Sequence, residues 1–177
     1  MTKALFILGE LDNDDLDWIS QKSKKKILAP GETLIYEGQT INALYIVLTG
    51  TLSVSIKPLP NKELAKIFSG EVVGEISFID TRPPLATVKA IENSIVLEIP
   101  RLQLIKKLQD RGFASRFYRG ISLCLSDRMR GTVRRLGYGM MDSEERGDED
   151  EGVNPIVLKN WDVAQVKFNW LVQNALD

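Results

Sequence analysis

Hydrophobic residues fall in three rhythms along this chain. Over residues 1 to about 23 the spacing is helical, with Leu16, Trp18 and Ile19 following Asp12 and Asn13, either of which can cap a short helix. From Lys24 to Pro100 the apolar positions come instead as short strand-like runs. These are Thr33 to Tyr36, Leu44 to Leu48, Leu52 to Ile56, Leu64 to Phe68, Thr87 to Ala90 and Ser94 to Ile99. Gly31, Gly38, Gly50, Gly70 and Gly74 punctuate them, where turns with positive φ favour glycine. The two runs around Thr49-Gly50-Thr51 read as a hairpin, and short strands at this spacing predict an all-β sandwich or barrel.

The helical rhythm returns after Pro100, a residue favoured in a first helical turn. Arg101 to Gln109 predicts one short helix. Asp110 can cap a longer one whose apolar positions Ala114, Phe117, Ile121, Leu125, Met129, Val133 and Leu136 step by three or four. Gly137 and Gly139 are placed to stop it. Acidic residues then crowd from Asp142 to Glu151, so 138–154 reads as a flexible acidic linker. The segment 155–177 predicts a final amphipathic helix, capped by Asn160 or Asp162, with Ala164, Phe168, Leu171 and Ala175 on one face.

Composition narrows the chemistry. The chain has 177 residues, no histidine and one cysteine, Cys124. Zinc sites of the Cys/His type and nucleophilic mechanisms that need a histidine base are therefore excluded. Lys and Arg number 23 against 24 Asp and Glu, so net charge points to no polyanionic partner. No apolar run approaches the ~20 residues of a membrane span. No signal-peptide pattern precedes Asp12, so the expected location is cytoplasmic.

The most specific local pattern runs from Gly70 through Gly74-Glu75-Ile76-Ser77-Phe78 to Ala86-Thr87-Val88. Gly74 allows the backbone to come close to a bound group, and N–H groups in the following turn can form an anion nest. Glu75, an acceptor-only carboxylate, suits sugar hydroxyls. The alternative is structural: Gly74 makes a bend and Glu75 caps the helical turn at Ile76 to Ile79.

Other motifs occur in a recognisable order: Ala29-Pro30-Gly31-Glu32, Tyr36-Glu37-Gly38, Leu44 to Leu52 as Tyr-x-Ile-x-x-Gly-x-Leu, and Gly70 to Phe78. With Ala86-Thr87-Val88 and Ala90, they make the chain resemble the cyclic-nucleotide-binding domain family, of the catabolite activator protein and protein kinase A regulatory subunit type, from about Leu5 to Val133. The resemblance implies a mainly β fold, a double-stranded β-helix (jelly roll) of about eight strands with N-terminal helices and a long C-terminal helix, in a domain over residues 1–137. It also implies a phosphate-binding cassette in which Glu75 accepts from a ribose hydroxyl, while backbone near Gly74 and Ile76 approaches phosphate and sugar. The implied ligand is cyclic AMP or cyclic GMP.

The cassette departs from the family pattern at one informative place. Where the family reads Pro-Arg-Ala/Ser-Ala-Thr, this chain reads Pro83-Pro84-Leu85-Ala86-Thr87. Pro84 offers neither a charge nor an N–H to the cyclic phosphate. Losing that charged partner costs ~2–5 kcal/mol, roughly 30-fold to several thousand-fold in affinity. Arg82 either reaches the same anion from a rearranged loop or is a solvated loop residue. Leu85, replacing a small residue, is placed to fill part of the pocket.

Too few residues follow the long helix for a helix-turn-helix domain, so no DNA partner is expected. The helix's arginines, Arg111, Arg116, Arg119, Arg128, Arg130, Arg134 and Arg135, read as a solvated face, with the acidic tail as a potential partner. The sequence thus predicts a non-catalytic regulatory module with a degenerate cassette, acting on a separate effector protein or as a homodimer through the long helix. The alternative is a working cyclic-nucleotide receptor that uses Glu75 and Arg82. Trp161, Phe168 and Trp170 are either anchors for the partner or intramolecular packing residues.

Overall fold

The computed structural model describes residues 5–58, 62–135 and 155–176. The stretch containing Gly137, Gly139 and the acidic linker lies outside them. The chain opens with α1 (Leu5–Glu10) and α2 (Asn13–Lys22). Asp12 caps α2 by a reciprocal pair: its carboxylate accepts from the Asp15 N–H at 2.9 Å, and the Asp15 carboxylate accepts from the Asp12 N–H at 3.0 Å. This is a capping box with aspartate at its third helical position.

Among the described residues eight strands follow: β1 (Lys24–Leu28), β2 (Thr33–Ile35), β3 (Ala43–Thr49), β4 (Leu52–Ser55), β5 (Ala65–Ile67), β6 (Val72–Val73), β7 (Thr87–Ala90) and β8 (Ser94–Pro100). They form two antiparallel sheets, ordered β1-β8-β3-β6 and β2-β7-β4-β5. This is the jelly-roll architecture with flanking helices that the resemblance implies. Short α3 (Glu75–Asp80) stands between β6 and β7. After β8 come α4 (Arg101–Lys107), α5 (Arg111–Arg135) and α6 (Pro155–Leu176).

The first sheet is covered on both faces. Ala43, Tyr45 and Val47 of β3 join Leu52, Ile67 and Val88 in the core between the sheets. Leu44, Ile46 and Leu48 face the other way, into a larger core shared with the helices. Burial on both faces explains the continuous apolar run of β3. It also overturns the expected hairpin, because β3 pairs with β8 and β6, whereas β4 pairs with β5 and β7. Thr49-Gly50-Thr51 turns the corner from one sheet to the other. Gly50 has φ 88°, and a Cβ there would lie 2.7 Å from the Ser94 Cα, so only glycine fits. Two strands were not among the expected runs. Lys24, Lys25 and Lys26 disguise β1, an edge strand in which only Leu28 is buried. β6 is two residues long.

The helices form a layer with α1 in its middle. Gly120 of α5 meets α1 so closely that a Cβ would lie 2.7 Å from the Ile7 Cα. On the α6 side, Gly9 faces Asn160 and Ala164. Asp110 caps α5 by accepting from the N–H groups of Gly112 and Phe113, at 2.9 and 3.2 Å. The buried face of α5 is Phe113, Phe117, Ile121 and Cys124, rotated from the predicted stripe, and Met129 is 71% exposed. On α6, Ala164, Phe168 and Leu171 are buried, as the spacing predicts. The helix begins at Pro155, however, so Asn160 and Asp162 lie inside it and cap nothing.

The arginines of α5 are not simply a solvated face. Arg116 grips buried Asp15 with Nε at 2.7 Å and Nη2 at 3.0 Å, and reaches Asp12 at 3.1 Å. Burial acts to raise the Asp15 pKa, but the hydrogen bonds and charge of Arg116 hold it below the usual carboxylate value. Arg119 pairs with Glu10 at 3.0 Å. These acidic partners stand on α1, on α2 and in the turn joining them.

Candidate ligand-binding site

Between the second sheet and α3 lies a cavity of about 250 Å³. Ile35, Val54, Ile67 and Val88, one from each strand of that sheet, form its apolar wall. The rest of the lining is Val73, Gly74 and α3, the 82–86 loop, and Arg128 of α5. All the cassette residues singled out from sequence, Gly74, Glu75, Ile76, Arg82, Pro84, Leu85 and Ala86, line this one space.

Gly74 starts α3 in the left-handed region, φ 90°, and a Cβ there would lie 2.8 Å from Ile41 Cδ1. The left-handed bend is what requires glycine, since the end of the Ile41 side chain can move aside. α3 ends on Thr81, a non-glycine residue with φ 63°, whose N–H donates to the Ser77 carbonyl at 3.0 Å. A β-branched residue there costs of order 1–3 kcal/mol of local strain. It aims the following loop across the cavity mouth.

Glu75 is 2% exposed, and its carboxylate accepts a hydrogen bond from Arg128 Nη1. Arg128 Nη2 donates to the Val72 carbonyl. One guanidinium therefore binds β6 and the start of α3 together. Burial would pull the Arg128 pKa down, but the charge of Glu75 pushes it above the ordinary arginine value, so Arg128 keeps its charge. Sequence reasoning missed Arg128 as a site residue. Its signal was positional: it stands seven residues after Ile121 and four after Cys124, on the buried face of α5.

The loop is equally engaged. Arg82 Nε donates to Asp80 Oδ2 at 2.7 Å, and the Arg82 N–H donates to Asp80 Oδ1 at 3.0 Å. These bonds from the Arg82 backbone and side chain hold the Asp80 pKa down. The Arg82 side chain is 80% exposed. Pro84 uses its carbonyl to accept from the Gly38 N–H at 2.9 Å, pinning the loop to the turn after β2. Leu85 does not fill the cavity: it stands at the mouth, 78% exposed.

A larger groove of about 440 Å³ lies beyond α3, among Phe78, Ile105, Leu108 and Tyr118. Its cation, Arg101, is stacked over the Phe78 ring at 5.0 Å and donates to the Phe78 carbonyl at 3.2 Å, so it is already engaged in structure. It shares none of the cassette chemistry. Of the tail aromatics, Phe168 is inside the main core, and Trp161 and Trp170 pack against it.

Residues 25–111 match the family model described as the cyclic nucleotide-binding domain. The chain is 36% identical over 72 residues to a cGMP-dependent protein kinase of Eimeria tenella, covering 41% of this chain and 7% of that one. It is 27% identical over 107 residues to a cAMP-dependent protein kinase regulatory subunit of Blastocladiella emersonii, covering 59% and 27%. The chain thus spans only a small part of these relatives. A solved cyclic nucleotide-binding domain from Methylobacillus flagellatus superposes with a TM-score of 0.68 at 23% identity, over 77% of this chain and 82% of that one, which shows a shared fold. With two antiparallel sheets, a helix between β6 and β7 and the family-model match, residues 25–111 of this chain belong to the cyclic nucleotide-binding domain family.

Proposed function

We propose that this chain is a non-catalytic regulatory module whose cassette is degenerate toward cyclic nucleotides and whose output is contact with another protein. The observation that carries this reading is the Glu75–Arg128 ion pair beside Pro84. The carboxylate that would receive a ribose hydroxyl is bound internally, and the position that would supply the phosphate's cation carries a proline. A cyclic nucleotide would have to displace Arg128 from a buried carboxylate and then bury its own phosphate without a dedicated cation. Two carboxylates, each already paired with an arginine, in a chain without histidine, offer little acid–base machinery, which supports a regulatory rather than an enzymatic role.

Output is proposed to pass through α5 and the helix that follows it. Tyr118 and Met129 on α5 are 44% and 71% exposed, and they suit either an effector protein or a second copy. Among the described residues no helix is long and apolar enough to cross a membrane.

Calorimetric titration of the full chain with cyclic AMP and cyclic GMP tests the ligand side, with light scattering on the same samples giving the oligomeric state. The expected result is no saturable binding at micromolar concentration. Micromolar binding that Glu75→Ala abolishes would overturn this reading and favour the working receptor.

A further inference from the structure

We propose that the cassette cavity takes a neutral, largely apolar ring compound in place of an anionic nucleotide. This inference rests on the reading of the cassette as degenerate and names the ligand class that cassette would accept.

Charge balance is the first support. Four ionisable side chains line the cavity, and they form two closed pairs: Glu75 with Arg128, and Asp80 with Arg82. The lining carries no surplus positive charge for an anion to use. On the loop side the backbone adds nothing, because Pro83 and Pro84 lack N–H groups there, and what remains for an anion is the uncharged first-turn N–H groups of α3. An entering anion must either break a pair and strand a buried carboxylate, or give up its hydration for backbone N–H groups alone, with no free cation to meet its charge. A neutral molecule avoids both costs.

Shape and surface are the second support. Ile35, Ile67 and Val88 present a buried apolar wall. At the mouth, Ile76 and Leu85 stand 49% and 78% exposed on opposite lips. Water is poorly accommodated between such surfaces, and an apolar body placed there removes both lips and the wall from solvent. At about 250 Å³ the cavity is just below the ~300–1,000 Å³ typical of pockets for drug-sized ligands, which suits one ring system rather than an extended molecule. The Arg128 guanidinium has more N–H groups than its bonds to Glu75 and Val72 use, so a ligand carbonyl or amide oxygen can accept from it.

An isosteric pair of probes separates charge from shape: 2-naphthamide, which is neutral, and 2-naphthoate, which is anionic. Each is titrated by fluorescence into the full chain at neutral pH. The expected outcome is saturable one-to-one binding of 2-naphthamide, at least about tenfold tighter than 2-naphthoate. Ala86→Trp, which fills the cavity, is expected to abolish it. Leu85→Gln, at a position too exposed to disturb folding, is expected to weaken it several-fold. Naphthoate binding as tight as naphthamide would overturn the inference, and so would naphthamide binding unaffected by both substitutions, which would place the probe elsewhere. Failure of both probes to saturate would also overturn it, yet leave the degenerate-cassette reading intact. Tight cyclic AMP binding would instead remove the reading on which it rests.

Discussion

A carboxylate as enclosed as Glu75 must be paired or neutral, and the chain pairs it across 53 residues with Arg128. Pairs of this kind are valued less for net stability than for what happens when one member is missing. Removing one charge from a buried pair costs ~3–5 kcal/mol, whereas replacing both by apolar side chains is often neutral. Arg128→Met is therefore expected to lower unfolding free energy by ~3–5 kcal/mol in urea, and the double change Arg128→Met with Glu75→Met by much less. Equal losses would mean that Arg128 matters through its bond to the Val72 carbonyl instead. In the sequence, Glu75 was readable from Gly74 and the surrounding motif, because a cassette is contiguous. Arg128 was not, since it is one of seven arginines on one helix and only the three-dimensional turn of α5 separates it from Arg130 or Arg134. Pro84 was readable as a missing donor, but its carbonyl bond to Gly38 was not.

Among the elements, α5 shows how a correct period can still place a helix wrongly. The steps of three and four identified a long helix, and Phe117 and Ile121 are on its buried side. The true face also contains Gly120 and Cys124, small residues that a hydrophobic stripe passes over. Gly120 is there because α1 approaches at backbone distance. Replacing glycine by alanine inside a helix normally gains ~0.5–1 kcal/mol. At Gly131, where an added Cβ meets nothing within 4 Å, that gain is the expected outcome of Gly131→Ala. At Gly120 the same methyl would sit 2.7 Å from the Ile7 backbone, and overpacking of this kind costs ~1–3 kcal/mol, so the clash wins. Thermal unfolding of the two single variants should thus move in opposite directions, and a stabilised Gly120→Ala would refute the tight α1–α5 contact. Strands tell a parallel story. β2, β3, β4, β5, β7 and β8 were legible from their apolar runs, whereas β1 hides behind lysines. Sheet membership was not legible, because a corner and a hairpin use the same glycine.

At the scale of the molecule, the roll and the helical layer share one sheet, and α6 completes the outer core from the far end of the chain. Ala164, Phe168 and Leu171 lie in the same cluster as Leu8, Phe113 and Leu97. The lone thiol provides a probe of that closure. Cys124 is 1% exposed and clusters with Phe6, with Trp161 of α6 packed against them. Burial pushes its pKa up to about 11, which leaves only ~0.1% thiolate at pH 8 even before access is considered. Native protein should therefore react with iodoacetamide very slowly. Phe168→Ala removes a buried aromatic ring at a cost of ~3–5 kcal/mol, and the strain falls on α6 rather than on the sheets. If α6 is the cover, this variant should label at Cys124 at least about tenfold faster while its far-ultraviolet strand signal is unchanged, the signature of local rather than global opening. Labelling that rises only in step with complete unfolding would show that roll and helices open as one unit. In that case α6 could not transmit a signal without unfolding the domain, and partner contact would have to be made on the outer face of α5.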